Sequence, residues 1–238
     1  MDTSNIDKEI YRIKVISHGD NEIVAVKKNT DAFECVGVGT DAAVFRCIDN
    51  PDLAVKVFSN DKIYKIKLES RVYQKLTNSS YYPVYYGEGK NYLVISYEKG
   101  QTLYDCLLKG VHIPWQVIND VDNGRLYALY QGLNPRDIHL KNILMHEGRA
   151  KIVDVSEYMK PGNDKRWEYL KEGYLKHYHL IDGKAIPSWI LEAVRKWYSQ
   201  TPSENFKVHD FIKELILLFQ FSGSGGHHRW CSEAKAKQ

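Results

Sequence analysis

Over the first hundred residues the apolar positions cluster or alternate in short runs, the spacing of half-buried strands. Residues 10–16 and 23–27 flank His18-Gly19-Asp20-Asn21 and predict a hairpin. Two more β-like runs meet at the glycine-bearing turn of Phe33-Glu34-Cys35-Val36-Gly37-Val38-Gly39-Thr40-Asp41-Ala42-Ala43-Val44-Phe45. After the turn Asp49-Asn50-Pro51-Asp52, the run Leu53-Ala54-Val55-Lys56-Val57-Phe58 places Ala54, Lys56 and Phe58 on one face. From Asp61 to Leu76 the period changes to that of a helix, with Glu69, Val72, Tyr73 and Leu76 at i, i+3, i+4 and i+7. Tyr92-Leu93-Val94-Ile95-Ser96-Tyr97-Glu98-Lys99-Gly100-Gln101-Thr102-Leu103 opens as an apolar strand and leads into the next helix. The second half predicts helices over 114–130 and 187–199. A third opens at the capping box Thr201-Pro202-Ser203-Glu204 and runs to about Phe221. From Ser222 onward the chain is Gly/Ser-rich and then polar, which predicts a flexible end.

Composition narrows the picture without directing it. The 238 residues can bury a sizeable core, and 43% hydrophobic with 26% charged residues excludes wholesale disorder. A net charge of +3 without a long basic block gives no case for nucleic acid. The longest apolar run, Leu215-Ile216-Leu217-Leu218-Phe219, is far too short to span a bilayer. The start is polar and acidic, without a signal peptide, and the four cysteines lack metal-ligand spacing. A cytoplasmic protein with reduced thiols is the expectation.

Four charged groups stand out against this pattern. Lys56 sits amid apolar residues on a strand and needs an anionic partner. Glu69 lies on the apolar stripe of the following helix, where a bare carboxylate would be costly. Each explains the other. Further on, Pro135-Arg136-Asp137-Ile138-His139-Leu140-Lys141-Asn142-Ile143-Leu144 places an acid five residues before an amide. Asp154 follows in Lys151-Ile152-Val153-Asp154-Val155-Ser156, at the end of an apolar strand. An acid, an amide and a second acid are the parts of a phosphoryl-transfer site: a carboxylate for the acceptor hydroxyl and two hard oxygen donors for a divalent cation.

Taken in order, these segments resemble the protein-kinase superfamily over residues 33–156. Gly37-Val38-Gly39 resembles its glycine-rich loop, with Ala42 at the third glycine, and Ala54-Val55-Lys56 resembles its lysine strand. The resemblance implies an α+β, two-lobed fold: a β-rich N-lobe with one main helix, and a reduced, mostly helical C-lobe. The N-lobe would cover residues 1–98, with an extra N-terminal hairpin, the C-lobe 99–221, and the tail 222–238. It also implies ATP and Mg²⁺, with Mn²⁺ as an alternative. Gly37, Val38, Gly39 and Lys56 would hold phosphates, with Glu69 orienting Lys56. Val44 and Ala54 would roof the adenine and Leu144 would floor it. Ile95 would be the gatekeeper, and the backbone of Ser96, Tyr97 and Glu98 would read the base. Asp137 would be the base or the group orienting the acceptor hydroxyl, and Asn142 and Asp154 the metal ligands. Arg136 would be a structural anchor. Lys141 would be either a phosphate-facing charge or a solvated lysine.

The chain also departs from the family pattern. Pro135 replaces the usual His, His139 stands where the common Ser/Thr kinases carry Lys, and Val155-Ser156 replace Phe-Gly. No A-P-E motif follows, so the peptide-docking platform is expected to be shortened or absent. The chain looks most like a small, stand-alone bacterial Ser/Thr kinase of eukaryotic type, acting on an unidentified protein and on itself. A small-molecule kinase acting on an alcohol or sugar hydroxyl is the alternative. A pseudokinase that binds nucleotide without catalysis is a third reading.

Overall fold

The computed structural model describes residues 3–19 and 22–200. The chain begins with α1 (Thr3–Ile10), then pairs β1 (Ile13–Ile16) antiparallel with β2 (Ala25–Lys28). The expected hairpin is therefore present, preceded by a helix that the polar start did not suggest. Next come β3 (Phe33–Val38), β4 (Ala42–Cys47) and β5 (Leu53–Phe58). A short 3-10 turn leads to α2 (Tyr64–Lys75), β6 (Tyr85–Glu88) and β7 (Tyr92–Ser96). The larger sheet is antiparallel throughout, in the order β3-β4-β5-β7-β6.

This sheet is buried on both faces, and the strand alternation shows how. On β5, Ala54 and Phe58 join the large core beneath α2, whereas Val55 and Val57 join a second core on the outer side. That outer core is closed by Ile10, Ile13, Val15 and Val24 from the N-terminal segment, packed around Phe33, Ala43, Phe45 and Tyr92. The N-terminal hairpin is thus part of the sheet's packing. Its link also reaches the glycine-bearing turn, because the Val24 N–H donates to the Gly39 carbonyl at 2.9 Å.

The second lobe starts with β8 (Gln101–Thr102) and α3 (Leu103–Lys109). Thr102 caps this helix, its Oγ1 accepting the Asp105 N–H at 3.0 Å. Then follow α4 (Trp115–Tyr130), β9 (Ile143–His146), β10 (Arg149–Ile152), α5 (Arg166–His177) and α6 (Ser188–Gln200). β9 and β10 are joined by Glu147 and Gly148, both left-handed (φ 49° and 72°), the backbone that matches a two-residue hairpin to strand twist. α4 turns Val117, Ile118, Val121 and Ala128 into the core and lies against β10. One carboxylate fastens that contact. Asp120, 1% exposed, accepts from Arg149 Nε (2.8 Å), Arg149 Nη2 (2.9 Å), the Ala150 N–H (3.0 Å) and Gln116 Nε2 (2.8 Å).

The result is an α+β fold of two lobes, β-rich with one main helix first and mostly helical second. α2, α4 and α6 match the expected helices within a few residues. α5 falls where no element was expected. The helix expected over 201–221 and the tail from 222 lie outside the described residues. Among the described residues no helix is long and apolar enough to cross a membrane.

Candidate active site

The expected lysine–glutamate pair forms where β5 faces α2. Lys56 Nζ lies 2.7 Å from Glu69 Oε2, with side chains 11% and 2% exposed. The stripe that placed Glu69 inward also carries Ile66, Val72 and Tyr73 into the core. Lys56 has a second carboxylate, Asp154 Oδ1, at 3.6 Å. Burial works against the Lys56 charge, but Asp154 and Glu69 outweigh it and raise its pKa. Burial likewise disfavours the Asp154 carboxylate, yet Lys56 and the Ser156 N–H, donating at 3.0 Å, hold it below the usual value. Tyr73 of α2 donates its hydroxyl to the Val153 carbonyl at 3.2 Å, tying the helix that carries Glu69 to the segment that carries Asp154.

The loop between α4 and β9 sits across from this pair. The Val153 N–H donates to the Asn142 carbonyl at 2.9 Å, which sets the two expected metal ligands side by side, Asn142 just before β9 and Asp154 just after β10. Asn142 Nδ2 donates to the Asp137 carbonyl at 3.1 Å, leaving the amide oxygen available as a ligand. One amide oxygen and one ionised carboxylate are the hard donors that Mg²⁺ takes from a protein while keeping water and phosphate oxygens for the rest. The residues present fit that ion. Among the described residues no group of three or more His, Cys, Asp or Glu forms a complete protein-made site.

Asp137 adopts a left-handed backbone (φ 58°). Its N–H donates to Asp164 Oδ2 at 2.8 Å, and its carboxylate Oδ1 accepts from Arg166 Nη1. Neither Asp164 nor Arg166 was singled out from the sequence. They lie 27 and 29 residues from Asp137, outside any motif, and only the fold brings them to it. Arg136 donates to the Pro161 carbonyl, consistent with an anchor. Lys141 directs its ammonium to Glu192 at 3.6 Å and over the Tyr104 ring at 4.4 Å.

Val44 pairs with Lys56 across β4–β5, and Ala54 with Ile95 across β5–β7. Ala54 and Ile95 are nearly fully buried in the same core, with Val44 packed against it. After Ile95, the Ser96 N–H donates to the Val84 carbonyl (2.8 Å) and the Tyr97 N–H to the Asp52 carbonyl (2.7 Å). Those two donors are engaged within the protein. Leu144, paired with Thr102 and Lys151 on β9, is half-buried. Gly37 faces Val44 across a bulge, and Val38 is exposed at the end of β3. The Gly39 N–H donates to the Ala42 carbonyl at 2.9 Å and closes the turn, and a Cβ at Gly39 would meet that oxygen at 3.4 Å, an ordinary contact.

No protein-family model matches the chain. A relative from Bacillus subtilis (strain 168), the "Putative serine/threonine-protein kinase YrzF", is 32% identical over 189 residues, covering 78% of this chain and 88% of its own length. Among solved structures, the crystal structure of the Rad53 kinase domain and SCD2 has a TM-score of 0.43 at 20% identity. It covers 52% of this chain and 50% of its own, so this chain spans about half its length. A superposition that loose bears no weight.

Proposed function

From the premise that this chain belongs to the protein-kinase-like superfamily, we propose that it is a Ser/Thr protein kinase. It would transfer the γ-phosphoryl group of Mg-ATP to a protein hydroxyl, and to itself. The observation that carries this reading is the convergence of Glu69, Lys56 and Asp154, at 2.7 and 3.6 Å, beside the loop that joins Asn142 to Asp137.

The geometry supports the following roles. Glu69 holds the Lys56 ammonium on the α2 side of β5, where it can meet phosphate oxygens. Asp154 and Asn142 supply oxygen ligands for the divalent cation, whose contribution when bound is to neutralise charge on the phosphates. Asp137 orients the acceptor hydroxyl and receives its proton. The Glu98 N–H and the apolar Val44, Ala54, Ile95 and Leu144 would take the base. Catalysis then consists of positioning and charge stabilisation, without a covalent enzyme intermediate.

A second reading, transfer to a small alcohol or sugar, is favoured by one observation. Asp164 comes only ten residues after Asp154, and α5 begins two residues later at Arg166, leaving little chain for a peptide platform. Incubation with γ-labelled ATP and Mg²⁺ tests both. Label should enter the protein itself or a generic protein acceptor with the wild type, and not with Asp137→Ala or Asp154→Ala. Label in a small alcohol only, with the same sensitivity, would replace the first reading by the second. Tight nucleotide binding with no transfer to either acceptor class would leave the pseudokinase.

A further inference from the structure

The positive charge beside the proposed base comes from outside the catalytic motif. Lys141 is drawn away to Glu192 and Tyr104. His139 accepts the Lys141 N–H on Nδ1 at 3.2 Å, and burial lowers its pKa and favours the neutral ring. The Asp137 carboxylate is met instead by Arg166, the first residue of α5.

Asp164 makes this a built arrangement. Its Oδ2 accepts the Asp137 N–H at 2.8 Å and its Oδ1 the Arg166 N–H at 3.1 Å, while Arg166 Nε lies 3.6 Å from Oδ2. One carboxylate therefore brackets both residues, and Asp137 (φ 58°) and Lys165 (φ 55°) are held left-handed on either side of it. A guanidinium has five donors in a rigid fork. Nη1 reaches Asp137 and Nε lies toward Asp164, and a five-donor fork has more donors than these two contacts use. The side chain is 39% exposed next to an Asp137 side chain that is 30% exposed.

We propose that Arg166 is a catalytic residue that stabilises the phosphoryl group in flight, the role open to Lys141 on sequence alone. The proposal rests on the phosphotransfer reading above. In the step, the acceptor oxygen bonds the γ-phosphorus as the bond to the β–γ bridging oxygen breaks. ADP leaves with that electron pair, and the hydroxyl proton passes to the Asp137 carboxylate oxygen that Arg166 does not hold. Arg166 exchanges no proton. Its donors meet the equatorial oxygens on which charge collects in the transition state.

The test compares the full chain as wild type, Arg166→Gln and Arg166→Lys, each also carrying Asp137→Asn, which tolerates the left-handed backbone. Three quantities are measured: kcat, the Kd of a non-hydrolysable Mg-ATP analogue, and the Kd of Mg-ADP-fluoroaluminate. Arg166→Gln should lower kcat about 100-fold or more in the Asp137 background and weaken the fluoroaluminate complex in both the Asp137 and the Asp137→Asn backgrounds, with the ATP analogue changed less than about 2-fold. Arg166→Lys should recover part of both losses. An unchanged or increased kcat in Arg166→Gln would overturn the proposal, an increase marking the guanidinium as a plug on the base. A fluoroaluminate effect that vanishes with Asp137→Asn would also overturn it, leaving Arg166 as a residue that only positions Asp137. A wild type that transfers no phosphate would instead remove the underlying reading.

Discussion

Lys56 and Glu69 show how one pair can serve stability and chemistry with different demands. Removing the lysine leaves a carboxylate 2% exposed without its closest cation. Lys56→Ala should therefore destabilise the fold by about 3–5 kcal/mol, measured by urea unfolding. The double variant Lys56→Met, Glu69→Leu should regain most of that stability and none of the phosphotransfer. Recovery of activity together with stability would contradict the proposed phosphate contact. In turnover assays Lys56→Ala should cost more than Glu69→Ala, because the glutamate acts only through the lysine. This pair was legible in the sequence because each partner violated a local pattern: a lysine on an apolar strand face and a glutamate on an apolar helix stripe. Arg166 violated nothing. It follows a polar turn, and its meaning depends on a contact 29 residues away that no periodicity encodes. The abundant tyrosines were opaque for the same reason. Tyr82 donates to the Gly124 carbonyl at 3.0 Å, Tyr174 to the Ile113 carbonyl at 2.8 Å, and Tyr178 accepts the Ile113 N–H at 2.7 Å. These three are buried or half-buried side chains whose hydroxyls satisfy backbone groups, a use visible only once the fold is known.

Among the elements, strand alternation predicted β5 and β7 well, but it could not reveal that the sheet is buried on both sides. The reason is that Val55 and Val57 face a core completed by the N-terminal segment. A chain lacking residues 1–29 should expose Phe33, Phe45, Val55 and Val57, bind a hydrophobic dye and lose its sharp thermal transition. A truncated chain that melted as cooperatively as the whole would show the outer core to be dispensable. Phe45→Ala, from a fully buried position, should cost about 3–5 kcal/mol. α5 escaped prediction because Trp167, Leu170 and Tyr174 share the stretch with many charges and a glycine, which blurs the stripe. The α4–β10 contact makes a pH prediction. Burial opposes the Asp120 carboxylate, but Arg149, the Ala150 N–H and Gln116 hold its pKa below the ordinary 3.8. A depressed carboxyl pKa adds stability that is present above the unfolded value and lost as pH falls through the folded one. Asp120→Asn should therefore be less stable than wild type by about 1–3 kcal/mol near neutrality. The gap should narrow below about pH 4. A gap that stayed constant into acid would show that ionisation of Asp120 contributes nothing.

Over the whole molecule, the site is assembled from both lobes. Lys56 and Glu69 come from the sheet and α2, Asp154 and Asn142 from around the β9–β10 hairpin, and Asp137 from the loop before it. Ligand that joins them should raise the melting temperature only with the divalent cation present, and Asp154→Ala should abolish the metal-dependent part of that shift. The two-lobed architecture was legible because the motifs occur in the family's order. The reduced second lobe was legible only as an absence, and its replacement contacts were not. Those contacts have a temporal consequence. The segment from Asp154 to Asp164 is pinned at one end by Lys56 and at the other by the Asp137 N–H. Its middle is held by Asn134 Nδ2, which donates to the Lys160 and Gly162 carbonyls at 2.6 Å each. A segment tied at both ends and in its middle is expected to hold one conformation, so such an enzyme would need no activation step. Progress curves should be linear from mixing, with no lag that preincubation with ATP removes. The pace would then be set from outside the molecule, by the arrival of acceptor.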